Sequence, residues 1–102
     1  MKINLDYTNL TKHYVNGDWV KPISSREFDV LNPATEELVG HIILGNAGDV
    51  DRAVESADKA FLDFSSTSKS KRLSLLKKLR EITEKRFDEL AYAMTVEMGA
   101  PI

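Results

Sequence analysis

The sequence predicts an α+β chain in which two β-hairpins are followed by two to three amphipathic helices. Three observations carry this. Asn16-Gly17 sits between β-prone residues, a second pair of β-prone runs flanks Asn32-Pro33, and the apolar period changes to steps of three and four near Gly48. The hairpins are expected over about residues 13–44 and the helices over about 47–98.

The first hairpin joins Tyr14-Val15 to Asp18-Trp19-Val20, because Asn and Gly both accept the positive φ that a type I′ turn demands. A polar loop follows around Lys21-Pro22-Ile23-Ser24-Ser25. Phe28, Val30 and Leu31 then form a short strand that stops at Asn32-Pro33, since proline cannot donate to a ladder. Asn32-Pro33-Ala34-Thr35 is the turn, and Leu38 to Leu44 returns as a second β-branched run. Gly40 within that run marks a bulge or a close contact.

Asn46 caps the first helix, with Asp49 three residues on supplying the partner carboxylate of a capping box at the positive end of the helix dipole. Val50, Ala53, Val54, Ala57, Ala60, Phe61 and Phe64 form an apolar stripe, and Asp51, Arg52, Glu55 and Asp58 lie off it. Ser65 to Ser68 interrupts, because hydroxyl side chains compete for backbone hydrogen bonds. Leu73, Leu76, Leu79, Ile82 and Thr83 face inward on the next helix. Phe87, Leu90, Ala91 and Met94 continue after a kink near Arg86 to Asp88. Gly99 supplies the C-terminal cap, and Pro101 prevents extension.

Composition narrows the function. The 102 residues, 42% of them hydrophobic, suit one small unit, and folding a chain this short buries only roughly 60 to 70% of its unfolded surface. Its 14 basic and 16 acidic residues leave a net charge of −2, which does not suggest nucleic acid. The cluster Lys69, Lys71, Arg72, Lys77, Lys78, Arg80 has no interleaved aromatics and is paired with Glu81 and Glu84, as on an ordinary solvated helix. The absence of cysteine removes disulfides, cysteine zinc sites and a thiol nucleophile. Met1 to Leu10 lacks the apolar centre of an export signal, and no apolar run approaches the roughly 20 residues that span a bilayer, so a soluble, cytoplasmic protein is expected.

No catalytic constellation emerges. His13 and His41, the two histidines, have no motif around them and read as strand or surface residues. Gly40, Gly45 and Gly48 match neither a Walker loop nor a Gly-x-Gly-x-x-Gly turn, so no phosphate site is expected there. Glu36-Glu37 and Asp49-Asp51 lack calcium-loop spacing and read as solvated faces and dipole partners.

Five segments in order nevertheless form a pattern: Tyr14 to Trp19, Val30 to Thr35, Gly45 through Asp49 to Val54, Ala57 to Phe61, and Glu97 to Pro101. In that order the chain resembles the N-terminal segment of NAD(P)-dependent aldehyde dehydrogenases, from about residue 13 onward. Ala100 departs from the Lys common before the proline in that family. Ser65 to Ser70 stands where relatives often carry Trp or basic residues.

The resemblance implies a parent enzyme of α/β fold with a Rossmann-type cofactor domain, of which residues 1–102 would form the N-terminal part. It implies oxidation of a small-molecule aldehyde to a carboxylic acid, or to an acyl thioester, with NAD or NADP. A cysteine thiolate attacks in that family, an Asn side chain and a backbone amide hold the oxyanion, and Glu-activated water releases the product. None of those residues is assignable here, nor is any cofactor-binding residue. A monovalent cation held by Val30, Leu31 and Glu97 is implied by analogy with some relatives, against the plainer reading of Glu97 as a surface acid. The rest of such a chain would be the partner, in a homodimer or homotetramer, with neither nucleic acid nor membrane involved.

Two other readings stand beside this one: a free-standing binding or assembly module derived from the family, and a catalytically dead paralogue. Because a protein seldom stops two residues past a helix cap within a family motif, Ile102 reads as a cut. If so, the apolar stripes of both long helices should be exposed.

Overall fold

The computed structural model describes residues 2–102; Met1, where the stretch examined for an export signal begins, lies outside the described residues. In chain order the elements are β1 (His13–Val15), β2 (Asp18–Val20), β3 (Glu27–Leu31), β4 (Leu38–Ile43), α1 (Ala47–Phe64), α2 (Lys69–Lys85) and α3 (Phe87–Met98). The α+β order and the pairing of both hairpins match the sequence expectation.

β1 and β2 pair antiparallel, with Tyr14 opposite Trp19 and Val15 opposite Asp18. Asn16 and Gly17 have φ values of 54° and 80°, the two left-handed positions of the expected turn. Tyr14 and Trp19 meet edge to face with centroids 5.2 Å apart. An isolated two-stranded ribbon is marginal in water, and this one leans on α1.

β3 and β4 form a second, separate two-stranded sheet. Val30 pairs with Gly40 while Leu31 pairs with Leu38, so Val39 is the extra residue of a bulge. Gly40 sits beside that bulge and also in a close contact: a Cβ there would lie 2.5 Å from Leu10 Cδ2. The connecting turn is longer than the four residues expected. Asn32 Oδ1 accepts from Ala34 N, Glu36 N donates to Asn32 O at 2.7 Å, and Asn32 N donates to Glu37 O. Closing this wider loop puts Glu36 at φ 61°, an uncommon conformation for a side chain with a Cβ.

α1 starts as the capping box predicts, with Asn46 Oδ1 accepting from Asp49 N and an Asp49 oxygen accepting from Asn46 N. After Ser65, Ser68 caps α2 by accepting from Lys71 N. The expected kink is a break at Arg86, whose φ of −106° and ψ of 17° end α2 and open α3. Gly99 closes α3 at φ 81°.

Among the described residues no hydrophobic side chain is buried. Phe61 is 64% exposed, Leu76 63% and Val54 60%, so the stripes stand open as expected for helices whose packing partners lie elsewhere. The buried residues are instead Asp49, at 5% exposure, and Pro22 in the loop after β2. This corrects the expectation that Asp49 and Asp51 are both solvated: Asp51 is exposed, whereas Asp49 is drawn inward by the backbone donors it satisfies.

Candidate functional site

Asp49 is a junction of three segments. Its Oδ1 accepts from Ile23 N at 2.7 Å, and its Oδ2 accepts from Ser24 N and Asn46 N, each at 3.1 Å. Arg52 Nη2 lies 3.4 Å from Oδ1 and also donates to Lys21 O, and His13 Nδ1 lies 3.9 Å from Oδ1. The Ile23 N–H above all, then those of Asn46 and Ser24 and the nearby His13, lower its pKa to about 2 against the opposing pull of burial. So many donors leave a carboxylate with little basicity. It fastens the loop after β2 to the start of α1, and it is not suited to proton transfer.

His13 Nε2 sits 2.9 Å from Ile43 O, which links the first hairpin to the end of β4. His41 Nδ1 lies 2.7 Å from Asp29 Oδ1, across the β3–β4 ladder and exposed. Among the described residues no Ser or Thr hydroxyl hydrogen-bonds either ring, so neither histidine belongs to a nucleophile–base pair.

The second locus runs along α3 to its C-terminal end. Residues Asn4 to Leu10 run beside this helix and enclose a cavity of about 320 Å³, with Tyr7, Arg86, Glu89 and Glu97 on its walls. Burial raises the Tyr7 phenol pKa, with Glu97 and then Tyr92 adding to the shift. Thr95 Oγ1 reaches Ala100 O at 2.7 Å, holding the chain past the Gly99 cap. A Cβ on Gly99 would lie 2.9 Å from Pro33 Cγ, so the end of α3 rests against the β3–β4 turn.

The cation residues inferred from sequence lie at these two element ends. Val30 and Leu31 close β3, immediately before the turn that bears Pro33, and Glu97 is in the last turn of α3, two residues before Gly99. Glu97 lines the cavity beside Tyr7, while Val30 and Leu31 line neither that cavity nor the neighbouring one between Tyr7, Asn32, Glu37 and Tyr92. No cluster of three or more His, Asp or Glu side chains gathers among the described residues.

Two features escaped the sequence reading. The tie between Asp49 and the Ile23–Ser24 loop spans some 25 residues and leaves no periodic trace; only the capping-box half of it was visible. The gathering of Tyr7 and Glu97 on the walls of one cavity is likewise nonlocal.

Residues 19–102 match the sequence profile of the aldehyde dehydrogenase family. The chain belongs to that family. A Staphylococcus aureus relative (strain bovine RF122 / ET3-1), named for the same enzyme class, is 48% identical over 92 residues, which is 90% of this chain and 19% of the relative. Aldehyde dehydrogenase C of Pseudomonas syringae, solved as a C291A mutant with NAD+ and octanal, superposes with a TM-score of 0.93 at 41% identity. The match covers 97% of this chain and 20% of that one. An aldehyde dehydrogenase from Bartonella henselae gives 0.88 at 41% identity, over 89% of this chain and 19% of that one.

The chain thus spans about one fifth of the length of the curated relatives and solved family members it matches. Among the described residues no helix is long and apolar enough to cross a membrane.

Proposed function

We propose that these residues form the N-terminal part of the NAD(P)-binding domain of an aldehyde dehydrogenase, an oxidoreductase that converts an aldehyde to a carboxylic acid. The observation that carries this is the family match over residues 19–102, joined to the superposition on a relative solved with NAD+ and octanal. Chemistry in such a protein runs through a cysteine thiohemiacetal, and this chain contains no cysteine, so the nucleophile belongs to the rest of a family-length chain.

The residues present do not suit a dinucleotide. Both sheets are antiparallel hairpins, and at the start of α1 the Asn46 and Asp49 amides are taken up by the capping box, whose Asp49 carboxylate opposes an anion there. The contribution of this segment is scaffolding. Asp49 fixes the entry to α1, and Gly99 seats α3 on the β3–β4 turn. Carbonyl oxygens of Val30 and Leu31 at the end of β3, with the Glu97 carboxylate from the last turn of α3, would hold a monovalent cation, a hard ion for which oxygen donors are apt. Thallium binding that Glu97→Gln weakens in the family-length protein would support this, and unchanged binding would refute it.

The test is the intact mass of the protein made from its own gene, with an assay of aldehyde-dependent reduction of NAD or NADP. A mass several-fold above 11.5 kDa together with turnover supports the proposal, and a mass of 11.5 kDa overturns it. Sedimentation of the same protein tests the homodimer or homotetramer expected of it.

A further inference from the structure

Before β1 the chain runs from Ile3 to Leu10 without helix or strand, yet this segment is better covered than the long helices. Ile3, Leu5 and Leu10 are half-buried, as are Tyr92, Ala93 and Val96 of α3, whereas every residue of α2 is exposed. An extended chain puts Ile3, Leu5 and Tyr7 on one side, which suits a segment laid in a groove. It lies there as a wedge. Asn4, Leu5 and Tyr7 line a cavity of about 350 Å³ shared with Val39 of β4 and Tyr92 of α3, and they also line the one of about 320 Å³ that reaches Arg86 and Glu97. At its end Leu10 rests on β4 at Gly40, where a Cβ would come within 2.5 Å of Leu10 Cδ2.

The hydrogen bonding of this segment is local. Tyr7 O accepts from Leu10 N at 3.1 Å, Asn9 O accepts from Lys12 N at 3.0 Å, and the Asp6 carboxylate accepts from the Thr8 amide and hydroxyl. Among the described residues no hydrogen bond joins residues 2–10 to α3 or β4; the tie to β4 comes at His13, whose Nε2 lies 2.9 Å from Ile43 O. A segment seated by side chains alone, with its turns already formed, can leave without unmaking a polar network, so its release costs less than unfolding the frame behind it. We propose that residues 3–10 are a releasable latch, seated between α3 and β4 by Leu5, Tyr7 and Leu10 and hinged at Thr11–Lys12, which opens the cavity beside Glu97 when it lifts. The latch does not depend on the activity proposed above, since every contact it uses lies within residues 3–97.

The protein made from its own gene, shortened to begin at Lys12, tests this with a fluorophore-labelled peptide of residues 2–11 added in trans. The shortened protein should stay folded by circular dichroism and bind the peptide saturably, with an anisotropy midpoint below about 1 mM. The unshortened protein, whose groove is filled, should bind it at least about tenfold more weakly. Tyr7→Ala or Leu10→Asp in the peptide should each weaken binding by about tenfold or more. Gly40→Val in the shortened protein should do the same, because a residue suited to a strand then fills the seat of Leu10. Loss of the fold on shortening would make residues 3–10 part of the frame and overturn the latch. So would a folded, shortened protein that binds no peptide, or that binds the altered peptides as well as the original. Peptide binding reports neither chain length nor turnover, so its failure is distinct from failure of the proposed function.

Discussion

The region around Asp49 and the helix α2 are held in opposite ways. Around Asp49, a carboxylate gathers backbone N–H groups from the Ile23–Ser24 loop and the α1 cap, and His13 ties the first hairpin to β4. That frame is polar and directional, and its ties lie within the chain. α2 has a side-chain cap at Ser68, exposed intrahelical ion pairing, and leucines that stand about half exposed or more. Polar networks of short reach can therefore be finished by a segment, while an amphipathic helix needs a second apolar surface.

Substitutions in a folded, family-length context would sharpen that contrast. The largest effect is expected at Asp49→Ala, which orphans several donors at once and should lower the melting temperature more than any other change named here. Its pH dependence follows from the depressed pKa. The native carboxylate keeps its charge down to about pH 2, while in the unfolded chain it takes a proton near its ordinary value of 3.8. Its stabilisation is therefore complete above the ordinary value and lost as pH falls toward 2, a loss that Asp49→Asn should remove from the acid limb of a stability profile.

Gly99→Ala should cost about 2 kcal/mol or more, because it combines a left-handed φ with a Cβ driven into Pro33; urea denaturation would measure it. Asn46→Ala, which removes a single cap, should cost about 1 kcal/mol. Smallest of all, Arg80→Ala breaks an exposed i,i+4 pair with Glu84 and should shift stability by at most about 0.5 kcal/mol. If the Arg80 change rivalled that at Asp49, the contrast between the two regions would be wrong.

Local chemistry was legible in the sequence wherever one or two residues decide the conformation: Asn16-Gly17, the Asn46–Asp49 box, the break at Arg86 and the Gly99 cap all stand as read. The β3–β4 turn was read too short because closure at Glu36 requires a left-handed φ that nothing in Asn-Pro-Ala-Thr announces. Asp49 was read as solvated because its burial comes from a loop distant in sequence. At the candidate site, Glu97 was placed by resemblance, and Tyr7, which lines the same cavity, went unnoticed because that cavity joins opposite ends of the chain.

The most direct test of the claim that the chain lacks a core of its own is a urea melt of the 102 residues alone, followed by far-ultraviolet circular dichroism. The expected result is a shallow, non-cooperative loss of weak helical signal. A sigmoidal transition with a slope of about 1 kcal/mol/M or more would mean that the chain buries a cooperative core by itself, and would contradict the account.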